Sequence, residues 1–181
     1  MLLFGHIGIG NALTQPILSL LKPKRSAFFV WSSIGTLLPD FIDKPLFHGA
    51  KALMRAGWIE STGLITSSRT LGHTGILLAL LFLVGWKRKS TLHFALSLGV
   101  ASHLLLDNLM DLISEATPSS AWMALVFPFF GVGFAQAPFE DIAGHVRGIW
   151  GRTELLYAEI LGLALFFKQF RKYRETPPLP K

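Results

Sequence analysis

The residues that could do chemistry in this sequence are His6, Asp40, Asp43, Arg69, His73, His103 and Asp107. His103 and Asp107 are four apart, and on a helix positions i and i+4 stack one turn apart on one face. An imidazole and a carboxylate at that spacing form a two-armed claw for a metal such as zinc or manganese. The claw ends an apolar run that begins near Thr91, and ionisable groups in such a setting are costly and mark function. Metal chemistry on a phosphoester needs several ligands to converge, with one position left open for water or substrate. His6, Asp40, Asp43 and His73 bring the possible ligands to six side chains, enough for one metal or two.

Each residue also has a plainer role. His6 could open a helix, Asp40 and Asp43 could form a turn or an N-cap, and His73 could start a helix behind Gly72. His103 could simply hydrogen-bond Asp107 within one helix. Arg69, four residues before His73, suits two phosphate oxygens at once; the alternative is a headgroup anchor or an ion pair with an outer acid.

Five apolar segments must position these groups: residues 2–21, 26–42, 72–86, 91–107 and 153–170. The composition is 51% hydrophobic and only 15% charged, which places the chain among membrane proteins. The expected fold is therefore all-α, a multi-pass membrane helical bundle of about five transmembrane helices. A further stretch, 122–134, contains Phe127-Pro128-Phe129-Phe130-Gly131 and reads as re-entrant or interfacial. The segments fall short of the ~20 residues that span ~30 Å of hydrocarbon, which local thinning can accommodate. Residues 1–175 form one domain, and 176–181, with Pro177 and Pro178, a disordered tail.

A formal charge of +6 could suggest nucleic acid, but the basic residues cluster between apolar runs, as membrane topology requires, so no nucleic-acid partner is expected. Lys22, Lys24 and Arg25, then Lys87, Arg88 and Lys89, then Lys168, Arg171, Lys172, Arg174 and Lys181 hold most of the 17 basic residues, all on one side if the segments alternate. The N-terminus then lies outside and the C-terminus in the cytoplasm. The basic cluster follows the first segment rather than preceding it, so that segment is a retained helix and not a signal peptide.

This orientation has every candidate ligand at the outer ends of helices, and of the six histidines only His93 clearly lies elsewhere. His48 and His145 read as surface residues of outer loops. Trp58, Trp122, Trp150 and Tyr157 read as interfacial aromatics.

The chain has no cysteine, so any transition metal must be held by His, Asp and Glu. No His-Glu-x-x-His, Gly-x-Ser-x-Gly or Gly-x-x-x-x-Gly-Lys occurs, which removes the usual zinc-protease, serine-hydrolase and nucleotide-binding signatures. No internal repeat is visible, against a transporter of inverted halves.

Taken in order, Gly5-His6, Leu37-Leu38-Pro39-Asp40-Phe41-Ile42-Asp43-Lys44-Pro45, Arg69-Thr70-Leu71-Gly72-His73-Thr74, Ser102-His103-Leu104-Leu105-Leu106-Asp107 and Phe127-Pro128-Phe129 resemble the YdjM-like family. Those are bacterial inner-membrane proteins described as membrane-bound metal-dependent hydrolases, distantly similar to the zinc-dependent phospholipase C enzymes. The resemblance covers roughly residues 1–135. It implies His6, Asp40, His73, His103 and Asp107 as metal ligands. The chain departs from the family pattern by one extra residue between Asp40 and Asp43, by Lys44 where a histidine is common, and by Ser68 where a histidine usually precedes the arginine. These changes remove up to two ligands and leave Arg69, His73, His103 and Asp107 in place.

The leading expectation is a hydrolase of the inner (cytoplasmic) membrane, with a divalent metal, zinc or manganese, at the extracytoplasmic face. Metal-activated water attacks a phosphoester, Asp43 (or Asp40, if not a ligand) accepts the proton, and Arg69 stabilises the phosphoryl charge. Depth at the helix ends suggests a lipid or lipid-linked phosphate as substrate. The alternative is a non-enzymatic membrane protein whose His/Asp cluster binds or conducts metal ions or protons.

Overall fold

The computed structural model describes residues 3–21, 25–60, 68–113, 124–129, 143, 147–148 and 150–175. Among them every regular element is helical. A π-helical turn, Gly5–Ile9, leads into α1 (Gly10–Leu21), followed by α2 (Arg25–Arg55), a 3-10 turn (Leu71–His73), α3 (Gly75–Arg88), α4 (Thr91–Ile113) and α5 (Thr153–Glu175). The five apolar segments thus correspond to five helices. Thr74 starts α3 by accepting from the Leu77 N–H at 3.4 Å, as N-cap threonines do. Lys89 ends α3 in the left-handed conformation, φ 48°, and Ser90 N–H bonds back to the Gly85 carbonyl at 3.0 Å. That closes a tight antiparallel hairpin between α3 and α4.

α2 corrects one expectation. The apolar segment 26–42, with Asp40 and Asp43 expected in a turn or N-cap, is only part of a helix that continues to Arg55 through Pro39 and Pro45. Proline deprives the preceding turn of an N–H, and a packed neighbour can re-satisfy a carbonyl so freed. Here α4 packs against that turn: Gly99 lies against Gly35, the residue whose carbonyl Pro39 leaves without its helical partner, and His103 bonds the next carbonyl, that of Thr36. Asp40 and Asp43 are therefore helical rather than in a turn, and His48 lies within α2, not in an outer loop. His93 stays apart from the other candidates, its Nδ1 2.8 Å from Ser90 Oγ.

Close backbone approach holds the bundle together. A Cβ on Gly35 would run into the Leu96 carbonyl, and one on Gly99 into the Ser32 carbonyl, so α2 and α4 cross where glycine faces glycine. Gly8 and Gly162 do the same for the π-helical turn and α5. α5 also clamps the chain start by hydrogen bonds. Glu159 Oε2 accepts from the Phe4 and Gly5 N–H groups at 3.0 and 3.1 Å, and Gln169 donates to the Gly8 carbonyl at 3.1 Å.

The distribution of polarity is the reverse of a water-soluble domain. Asn11, Thr14, Ser32, Thr36, Ser97 and Ser102 are buried, whereas Leu80, Leu83, Leu105, Leu112, Phe129 and Ile160 are exposed. An apolar exterior over a hydrogen-bonded polar interior suits hydrocarbon. Of the described helices only α4, with 23 residues, has both the length and the apolarity to cross a membrane. α3, at 14 residues, is about 21 Å long. Of the 122–134 stretch only 124–129 is described: Ala124 is buried, Phe129 exposed, and the Phe127–Pro128 peptide bond is cis. Trp122, His145 and the tail lie outside the described residues.

The glycine crossing can be tested by substitution. Gly99→Val in the detergent-solubilised protein should lower the unfolding midpoint markedly, since overpacking against backbone costs about 1–3 kcal/mol or more. Gly49→Ala, in open space on α2, should leave the midpoint unchanged or raise it by the equivalent of up to ~1 kcal/mol. Similar losses in both variants would show that the crossing is not sterically set.

Candidate metal centre

His103 and Asp107 project from α4, Asp40 from α2, His73 from the 3-10 turn and His6 from the π-helical turn, an element often found at functional sites. The structure brings all five together. His73, His103 and Asp107, all buried, form one group whose ligand atoms lie within 4.8 Å of one another, and His6, Asp40 and His103 form another.

The ring chemistry of the first group is set by its outer contacts. His103 Nδ1 lies 2.7 Å from the Thr36 carbonyl, which can only accept, so this nitrogen carries the proton. His73 Nδ1 lies 2.7 Å from Asp43 Oδ2 and donates to that carboxylate. Each ring therefore presents its Nε2 lone pair inward, and the two Nε2 atoms are 3.1 Å apart. Bare lone pairs at that distance repel, so the pair calls for a cation: a proton on one ring, or a metal ion held by both. An imidazole whose other nitrogen donates to a carboxylate or a carbonyl is the usual metal-ligating arrangement.

The distances fit a metal. Asp107 Oδ2 is 3.5 Å from His73 Nε2 and 3.6 Å from His103 Nε2. With the 3.1 Å between the nitrogens, these three atoms make a nearly equilateral triangle. Its circumcentre lies about 2.0 Å from each, close to the 2.0–2.2 Å of zinc–nitrogen and zinc–carboxylate bonds. His6 stacks on His103 with ring centroids 4.0 Å apart, and its Nε2 is 3.3 Å from Asp107 Oδ1. It is 1% exposed, and neither ring nitrogen makes a hydrogen bond among the described residues. A buried imidazole in that state is expensive unless an ion completes it. The cluster could thus hold a metal ion; which metal is not fixed by these donors.

Asp43 departs from the proton-accepting role expected of it. It is fully buried and accepts from Thr70 N–H at 2.6 Å, Thr70 Oγ1 at 2.8 Å, Gly72 N–H at 2.8 Å and His73 N–H at 3.2 Å, besides His73 Nδ1. Both oxygens are committed to folding the 3-10 turn and aiming His73. Gly72 permits this, because a Cβ there would come 2.5 Å from the Pro39 carbonyl oxygen. Asp43 is a positioning residue.

Arg69 realises the ion-pair alternative. Its Nη2 is 3.1 Å from Asp107 Oδ2, and it pairs side-on with Asp111, Nη2 to Oδ1 at 3.3 Å and Nη1 to Oδ2. Burial alone would lower the guanidinium pKa, but Asp107 and Asp111 outweigh it and hold it above its ordinary value. With 31% of its side chain exposed, Arg69 lies at the mouth of the centre. Lys44 lies there too, 2.5 Å from Asp40 Oδ2. Sequence reasoning missed the Thr36 carbonyl, since a backbone acceptor leaves no residue signature. It offered Arg69 an ion pair with an outer acid without fixing which; the structure makes the partners Asp107 and Asp111.

Fold and site define a protein that is helical throughout its described elements, with a lipid-compatible exterior and a buried His/Asp cluster able to hold a metal ion. The chain belongs to the YdjM inner membrane protein family, whose model matches residues 1–169. No curated protein and no solved structure matches it.

The orienting role of Asp43 predicts a graded loss. Asp43→Asn should weaken zinc binding about 10- to 100-fold, the usual effect of removing an outer partner of a ligand. His103→Ala should abolish binding under the same conditions. Competition against a chelating dye, with helical content followed by circular dichroism, checks both; an Asp43→Asn affinity equal to the parent's would remove the carboxylate from the metal argument.

Proposed function

We propose that this protein is a membrane-embedded, metal-dependent hydrolase acting on a phosphoester in a lipid or lipid-linked substrate. The observation that carries the reading is the pair of inward Nε2 atoms of His73 and His103, 3.1 Å apart, each ring anchored at its other nitrogen. When bound, the ion would supply Lewis acidity to a phosphoryl oxygen and to water. His73, His103 and Asp107 would hold it, with His6 stacked behind.

Asp40 is the carboxylate placed to accept a proton. Its side chain is 18% exposed, and its Oδ1 lies 3.8 Å from His73 Nε2, beside the triangle rather than committed to backbone as Asp43 is. Arg69 at the mouth offers positive charge to an anionic ester. A lipid-type substrate is inferred from the centre lying under an apolar exterior, where the tails of such a substrate can stay in hydrocarbon.

The same reading makes the protein multi-pass, with its centre on the extracytoplasmic face. The clusters Lys87–Lys89 and Lys168–Arg174 lie at the helix ends remote from the ligands in sequence, as the positive-inside rule requires.

A second reading, ion or proton conduction, draws on one observation: buried Asn11, Thr14, Ser32, Thr36 and Ser97 extend polarity inward from the centre. Thr14 Oγ1 is 3.2 Å from Ser32 Oγ, and Asn11 donates to Ser33 Oγ at 2.7 Å. One turn back along α2, however, buried Phe28 and Ala95 pack with Trp31 and Leu98, and the Ser97 hydroxyl at that level is turned onto the Phe94 carbonyl of its own helix, 2.9 Å away. That cluster favours a closed pocket over a path.

Elemental analysis of purified protein, followed by a phosphoester hydrolysis screen, tests the proposal. Parent protein should carry zinc or manganese and hydrolyse at least one substrate; His103→Ala and Asp107→Ala should lose both properties. Intact metal content and hydrolysis in His103→Ala would sink the mechanism, and metal flux into proteoliposomes without hydrolysis would favour conduction. Because the chain has no cysteine, single substitutions report orientation cleanly. Ala56→Cys should react with a membrane-impermeant maleimide in spheroplasts, and Lys87→Cys only after lysis; the reverse pattern would invert the topology.

A further inference from the structure

Resting on the metal reading above, we infer that the centre holds one divalent ion, not two, and that the Lys44 ammonium takes the place of a second cation as a contact for the phosphoryl group. The two groups of potential ligands, His73–His103–Asp107 and His6–Asp40–His103, share His103. Its Nδ1 proton is given to the Thr36 carbonyl at 2.7 Å, so the ring has one lone pair, on Nε2. One lone pair binds one ion, and both groups cannot be filled together. The triangle around His73 Nε2 has the bonding dimensions, which leaves Asp40 as the carboxylate that a second ion would have claimed.

Asp40 already has its cation. Lys44 lies one helical turn on along α2 with Nζ 2.5 Å from Asp40 Oδ2, the place a second metal would occupy in bridging to an anionic substrate. Charge balance agrees. The described acids of the centre are Asp40, Asp43, Asp107 and Asp111, against Lys44 and Arg69, so one divalent ion brings the cluster to neutrality. A second would leave uncompensated positive charge in a weakly polar interior, at high cost. An ammonium carries three protons. One serves Asp40, and because the side chain is 33% exposed the ammonium can still be offered to an anion arriving from outside. Arg69, 31% exposed, likewise lies 3.1 Å from Asp107 Oδ2, so Asp40 and Asp107 each carry a partly exposed cation.

The test combines metal stoichiometry with anion binding in detergent-purified protein. Elemental analysis after zinc loading should give one ion per chain in the parent and in Lys44→Gln. Calorimetric titration of the zinc-loaded protein should show Lys44→Gln binding inorganic phosphate about tenfold or more weakly than the parent, the size of one lost charge-assisted hydrogen bond. Lys44→Arg should keep most of the affinity. A parallel titration with phosphatidate in mixed micelles separates the sources of the anion, since a Lys44 effect confined to that arm assigns the contact to a lipid headgroup. Two ions per chain in the parent would overturn the inference while leaving a metal hydrolase intact. Equal affinity of parent and Lys44→Gln for both anions would overturn the role of Lys44. No ion in the parent would instead defeat the underlying metal reading. Should Lys44→Gln fail to fold, parent stoichiometry and Lys44→Arg still decide.

Discussion

The Nε2 atoms of His73 and His103 lie 3.1 Å apart, and neither ring can swing away because each is fastened at its opposite nitrogen. One fastening is the Thr36 carbonyl, the other the Asp43 carboxylate. Both anchors stand on α2, although the rings come from α4 and the 3-10 turn. The distance between the rings is therefore a measure of how α2 lies against its neighbours. The glycine contacts at Gly35 and Gly99, and at Gly72 over Pro39, bring backbones close enough for these anchors to reach. Remove the close approach and the two nitrogens have no reason to face each other.

The polar interior has a cost that the apolar exterior offsets only in the right solvent. Burying Asp43 and Asp107 beside three imidazoles is unfavourable unless every charge finds a partner. The partners are arranged in shells: backbone N–H groups on Asp43, Arg69 on Asp107, Lys44 on Asp40. In lipid, exposed Leu, Ile and Phe residues cost little and the polar groups are driven inward to one another. Fold and cluster thus support each other in hydrocarbon, in keeping with the inner membrane protein family to which the chain belongs.

Much of this was legible in the sequence, and the reasons differ residue by residue. The helix that carries His103 and Asp107 was readable from an apolar run with period-compatible spacing, and the convergence of His6, Asp40, His73, His103 and Asp107 from their common level along alternating segments. The path of α2 was not readable, because proline at 39 and 45 predicts a stop from local rules alone, whereas the helix, packed against α4, runs through both. Nor was the role of Asp43. Type and spacing cannot distinguish a carboxylate that faces a pocket from one wrapped by the Thr70, Gly72 and His73 backbone. Apolarity alone did not show which of these helices is long and apolar enough to cross a membrane unaided: among the described ones only α4 is. Apolarity located the helices, but α3 stops at 14 residues and α2 carries its charges within its length.

His6 stands on the first of the described elements, yet what holds it stands on the last. The turn that carries it is fastened through Phe4, Gly5 and Gly8 to Glu159, Gly162 and Gln169 on α5. More than 150 residues of sequence separate the partners of these bonds. During synthesis the α2–α4 part of the cluster can be assembled while its N-terminal imidazole still lacks its seat. α5 is thus the latch on the turn that carries His6, and the five-residue centre is complete only once α5 has been made.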